Sequence, residues 1–124
     1  MKIKCVRLLN ADGREVKFSP WLTLGRTYHV LSMWINKDGK RSYGIACGYR
    51  EGEWPQIGSH QQECFEVVSD VVPSNWRIKI FQETIDMSPA AWQEEGFYEA
   101  FCDHDPTTYS IFEHERDIIL SEDP

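Results

Sequence analysis

Positive charge is almost missing from the last third of this chain. Between Glu83 and Pro124 there are twelve carboxylates and a single base, Arg116. Residues 1–82 carry twelve bases and eight acids, so the two parts stand near +4 and −11 and together make the net charge of −7. A dense negative patch repels nucleic acid and anionic membranes and attracts basic surfaces. Neither nucleic acid nor membrane is therefore expected as a partner. Long apolar runs are also lacking, and none approaches the ~20 residues that span a bilayer. The start, Met1-Lys2-Ile3-Lys4, alternates as a strand does and has no apolar block of the signal-peptide kind. The expected site of action is the cytoplasm. Cys5, Cys47, Cys64 and Cys102 form no Cys-x-x-Cys pair, which argues against a zinc site built from close pairs. Their apolar neighbours mark them as small buried hydrophobes. No phosphate-binding loop, dinucleotide fingerprint or serine elbow is present. No catalytic residue, cofactor or metal is nominated.

What is present is an ordinary apolar fraction and many aromatics in 124 residues, enough for one domain with its own core and a monomer. Residues 2–9 alternate with a slip between Cys5 and Val6, as in a strand with a bulge or with two buried faces. Asn10-Ala11-Asp12-Gly13 is a turn signal, after which Val16 and Phe18 mark a second short strand. Thr27 to Ile35 is a long run of β-branched and aromatic residues and reads as one strand. Asn36-Lys37-Asp38-Gly39 turns the chain, and Tyr43, Ile45 and Cys47 alternate on the return. Residues 48–62 are rich in glycine and polar groups and read as a loop. Cys64–Val68 and Trp76–Ile80 supply further strands. The expectation for 1–82 is an antiparallel sheet or small curled barrel of about six strands. Ser88-Pro89 and Asp105-Pro106 each resemble a helix start, with a capping side chain before a proline. Two C-terminal helices are therefore expected within an acidic helical part, 83–124, packed on the sheet. The fold class is α+β.

Four constellations bear on function. Glu95, Glu99 and Asp103 recur every four residues, as do Glu113 and Asp117. Such ladders cost a few tenths of a kcal/mol per pair on a helix. A cationic partner would offset that cost and associate faster by steering; a solvated face kept for solubility is the plainer reading. Second, Asp103-His104-Asp105 with His114 offers metal-ligand types without a recognised spacing, and Asp105 is better used as a cap. Third, His60 with the cysteines lacks any motif that places a thiol beside a base. Fourth, Trp34, Tyr43 and Trp76 lie on strands and are expected in the core, whereas Tyr49 and Trp54 sit in the loop. Large rings there are harder to bury and serve as interface anchors.

The segment Leu22-Thr-Leu-Gly-Arg-Thr-Tyr-His-Val-Leu31, with Cys64-Phe-Glu-Val-Val68, resembles small bacterial and phage barrels of the Src-homology-3 kind. The run Asn75-Trp76, Ser88-Pro89-Ala-Ala-Trp92, Gly96-Phe97-Tyr98-Glu99 and Asp103-His-Asp-Pro106 is similar to small bacterial immunity proteins. Those neutralise a toxin delivered by a neighbouring cell, as in contact-dependent growth inhibition. The resemblance implies a non-catalytic inhibitor whose acidic patch meets a basic toxin domain, often a nuclease. The expected contacts are Glu94, Glu95, Glu99, Asp103, Glu113 and Asp117 by charge, and Tyr49 and Trp54 by packing. The alternatives are a small metal-dependent hydrolase using Asp103, His104, Asp105 and His114, and a barrel adaptor that binds a peptide across its aromatic loop.

Overall fold

A computed structural model describes residues 1–48 and 54–124. The fold is α+β, with antiparallel strands first and helices at the C-terminal side. Among the described residues the strands form two sheets and do not close into a barrel. Strands β1 (Lys2–Cys5), β2 (Thr27–His29) and β6 (Phe65–Ser69) make a three-stranded sheet in the order β2-β1-β6. Strands β3 (Ser32–Ile35), β4 (Arg41–Gly48), β5 (Gln56–Gln61), β7 (Trp76–Phe81) and β8 (Thr84–Pro89) make a five-stranded sheet in the order β5-β4-β3-β8-β7.

The expected single strand over Thr27–Ile35 is broken at Val30-Leu31, and the break separates the two sheets. The Val30 amide donates to the Met1 carbonyl at 3.0 Å, and the Leu31 amide donates to the Gly44 carbonyl at 2.8 Å. One residue thus serves each sheet, and both side chains are buried. The expected strand at Val16–Phe18 reduces to a bridge between Leu9 and Glu15, and Phe18 is exposed. After Cys5 the Val6 and Arg7 amides both donate to the Cys64 carbonyl, at 2.9 and 3.3 Å, so two residues face one as in a bulge, and a second irregularity lies between Lys2 and Ile3 against β6. The loop expected over 48–62 contains β5, which pairs along β4.

Register assigns the two faces of the five-stranded sheet, because residues directly opposite share a face. Met33 lies opposite Tyr43 and Met87, and Met87 opposite Ile78. This face joins Ile3, Cys5 and Tyr28 of the smaller sheet in one hydrophobic core. Its apolar character outlasts its cover: on the edge strand β7, Ile78 and Ile80 remain 69% and 71% exposed. The opposite face carries Ser32, Trp34, Gly44, Ser59, Asp86 and Ser88.

Ser88-Pro89 does not start a helix. Pro89 pairs with Trp76 as the last rung of β8, and only Ala90–Gln93 then winds into a 3-10 turn. Helix α1 (Phe97–Cys102) begins after Gly96, whose φ of 80° and ψ of −6° fit the second central position of a type II turn. Helix α2 (Pro106–Glu122) starts where Asp105-Pro106 indicated. The Asp105 carboxylate accepts from the Thr107 amide at 3.0 Å, with Pro106 at the first helical position. Its buried side is Thr108, Phe112 and Ile119, and Ile111 is exposed.

Candidate functional site

The helices lie across the second face of the five-stranded sheet through an aromatic layer. Phe101 meets Phe112 at 4.8 Å between ring centres, Trp92 stacks on Phe112 at 5.0 Å, and Phe97 stacks on Phe101 at 6.1 Å. Between this layer and the sheet is a cleft of about 540 Å³, mostly apolar in its lining. That volume falls in the range of small-ligand and anchor pockets, ~300–1,000 Å³. Ser59, Gly44 and Ser32 are cross-strand neighbours on β5, β4 and β3 and form its floor. Small side chains here keep the sheet low. A Cβ on Gly44 would come within 2.1 Å of Ser32 Oγ, so the floor is tightly fitted. Trp34, Trp92, Phe97 and Tyr98 form the walls. Trp34 is 49% exposed and Tyr98 66%. Trp34 was expected in the core with Tyr43 and Trp76; those two are buried, whereas Trp34 faces the opposite way from Met33 and Ile35 and lines the cleft.

One carboxylate lies in the cleft. Asp86 is directly opposite Trp34 on one side and Lys79 on the other. Its Oδ1 is buried and has no hydrogen-bond partner among the described residues. Burial pushes the Asp86 carboxyl above its ordinary range, and the Ser88 hydroxyl and the Lys79 charge offset part of that rise. Lys79 spends its ammonium on the Gln93 carbonyl at 3.3 Å. Gln93 Nε2 in turn donates to the Arg77 carbonyl at 2.8 Å and to Ser88, tying the 3-10 turn to the β7–β8 hairpin.

The acidic residues separate into two groups. Glu113 and Asp117 flank Arg116 at 4.0 and 3.2 Å, so the only base of this region offsets both. Glu115 accepts from Asn75 at 2.7 Å, and Asp105 caps α2. By contrast Glu94, Glu95, Glu99 and Asp103 are exposed, and none of them is in an ion pair among the described residues. They do not form the expected helical ladder. Glu94 and Glu95 precede Gly96, Glu99 is in the first turn of α1, and Asp103 is its C-cap. Phe97 and Tyr98, which wall the cleft, belong to the same segment as Glu94, Glu95 and Glu99, although none of these carboxylates lines it.

Trp54 reaches inward. Its indole stacks on His104 at 4.6 Å and packs on Phe101 at 5.1 Å and Tyr109 at 5.4 Å. Tyr49 and the Cys47 side chain lie outside the described residues. Cys5 and Cys64 are buried, and burial raises both thiols, away from a reactive thiolate. Cys102, expected to be buried, is exposed. Burial lowers His60. Among the described residues, no three His, Cys, Asp or Glu side chains converge as a metal site. Among the described residues no helix is long and apolar enough to cross a membrane. Comparison with protein-family models, with curated proteins and with solved structures finds no match to this chain.

Proposed function

We propose that this chain is a cytoplasmic immunity protein of the toxin-neutralising kind, acting by binding and without catalysis. Its partner is a basic toxin domain whose active site or substrate groove it covers. The observation that carries this reading is the contrast within the acidic region. Among the described residues Glu113, Glu115, Asp117 and Asp105 have internal partners, whereas Glu94, Glu95, Glu99 and Asp103 are exposed without an ion pair, in and next to the segment that supplies two walls of an open aromatic cleft. Unpaired like charges raise association rates with a cationic partner, and a few desolvated aromatic anchors then set the off-rate. Glu113 and Asp117, held by Arg116, contribute to the long-range field more than to contact.

The test asks first whether a reading frame next to this one encodes a toxin domain, and then assays the triple reversal Glu95→Lys, Glu99→Lys and Asp103→Lys against that domain. Co-expressed cells should lose protection, and the association rate at low salt should fall by ~10-fold or more. The wild-type rate should itself fall as salt rises. Full protection by the triple variant, with an unchanged association rate at low salt, would overturn the assignment.

A further inference from the structure

We propose that the cleft between the five-stranded sheet and the helices receives an arginine side chain of a partner protein, stacked on Trp34 and held by Asp86. The proposal deepens the basic-partner reading above and rests on it for the source of the arginine. Three features of the cleft select this chemistry. Its walls include the aromatic side chains of Trp34, Trp92 and Tyr98, which suit a flat, weakly hydrated cation. Its one charge among the described residues is the Asp86 carboxylate, directly opposite Trp34 in the cross-strand register. That carboxylate has a buried oxygen with no partner among the described residues, although a native buried acceptor is normally satisfied.

The nearby cation does not complete the site. Lys79 is opposite Asp86 in the register, yet its ammonium bonds to the Gln93 carbonyl, and no ion pair joins it to Asp86 among the described residues. A guanidinium entering past Tyr98 would supply the missing donor and a planar surface for Trp34. Two parallel N–H donors suit a carboxylate better than the single point charge of a lysine. Glu94, Glu95 and Glu99 are exposed in the segment that supplies the wall residues Phe97 and Tyr98, and their negative field favours the approach of a cation. Burial raises the Asp86 carboxyl, and the Ser88 hydroxyl and the Lys79 charge offset only part of that rise, so a further donor would favour its charged form.

The experiment is a titration of the intact protein with acetyl-Gly-Arg-Gly-amide, followed by NMR at the Trp34 and Trp92 indoles and the Asp86 amide. The comparison peptide has citrulline, a planar urea of nearly the same shape that keeps three of the five N–H donors, has an oxygen in place of one terminal nitrogen and carries no charge. Saturable shifts confined to the cleft are expected, with citrulline and the Asp86→Asn variant each weaker by ~10-fold or more. Asp86→Asn removes a poorly solvated charge, so its thermal midpoint should equal or exceed that of the wild type, which separates lost binding from lost folding. Equal binding of the citrulline peptide would show an apolar pocket indifferent to charge and would overturn the proposal. So would shifts centred on Glu95 and Glu99, or no saturable shift. Toxin protection distinguishes the two readings. Protection without cleft binding removes the arginine anchor and leaves the steering surface; cleft binding without protection removes the toxin reading and leaves the cleft.

Discussion

The indole of Trp54 is held by the fold on three sides, by His104, Phe101 and Tyr109. His104 has a φ of 60°, which a residue with a Cβ adopts at a cost. It occupies the left-handed position that ends α1: its amide donates to the Phe101 carbonyl, and the Asp105 amide donates to the Ala100 carbonyl. Stacking on Trp54 compensates for a conformation that glycine would adopt freely. Trp54→Ala should therefore destabilise the protein by about 2 kcal/mol, below the ~3–5 kcal/mol of a fully buried aromatic because Trp54 is only half-buried. Urea unfolding measures it, and a change within about 0.5 kcal/mol would mean that the stack does not hold His104. A ring in a glycine-rich stretch reads as an anchor for a partner because nothing local buries it. The rings that cover Trp54 lie about fifty residues away in sequence, so its packing was not readable from its neighbours. Trp34 shows the reverse. Its phase was legible, since Met33 and Ile35 must share a face that Trp34 cannot, but propensity places any strand tryptophan in a core.

At the scale of elements, the legible parts were those with local chemistry. Asp105-Pro106 caps α2 as its residue types require, and Asn36 to Gly39 turns β3 into β4 with Gly39 at a φ of 82°. The β7–β8 hairpin was hidden because its turn is Gln82-Glu83, between Phe81 and its partner Thr84. Gln82 adopts a φ of 54° without being Gly, Asn or Asp, so the usual signal was missing. Without that hairpin, Ser88-Pro89-Ala-Ala-Trp reads as a helix start; with it, Pro89 is spent on pairing with Trp76. β5 was hidden for another reason: Gln56–Gln61 is mostly polar, and pairing with β4 decides its conformation. Gly96 then determines where α1 begins. A Cβ there would meet only Glu99 Oε2, at 4.0 Å, so space is not the constraint and the positive φ is. Gly96→Ala should cost about 1–2 kcal/mol of stability. Hydrogen exchange should quicken first in the amides of α1, and uniform loss of protection across both sheets would contradict a local origin.

Over the whole molecule, the acidic excess is partly a fastening. The last turn of α2 is negative, against the helix dipole, but its carboxylates are held by the sheet side of the protein. Asp123 Oδ2 lies 3.0 Å from the Met1 amine and accepts from the Ser69 hydroxyl at 2.6 Å. Glu122 accepts from the Ser74 amide at 2.7 Å and from its hydroxyl. The His29 ring contacts the Asp123 carbonyl at 2.7 Å. Helix α2 is thereby bound to β1, β2, β6 and the segment leading to β7. The Ser69 hydroxyl and the Met1 amine depress Asp123 below its ordinary 3.8, and the Ser74 donors depress Glu122 below its ordinary 4.5. A depressed carboxyl stabilises the fold fully above its unfolded value and loses that contribution as pH falls through its lower folded value. The fastening should therefore weaken below about pH 4. Asp86 has the opposite sign, because a carboxyl raised by burial is relieved when it is protonated. In an Asp86→Asn background, which removes that opposing contribution, Ser69→Ala with Ser74→Ala should lower the thermal midpoint at pH 7. The same pair should flatten its decline between about pH 4.5 and pH 3, since the two carboxyls then titrate nearer their unfolded values. Parallel midpoint curves for the two proteins across that window would mean that these hydroxyls do not hold the helix, and that the shared apolar core, with Ile119 and Phe112 in it, carries the attachment alone.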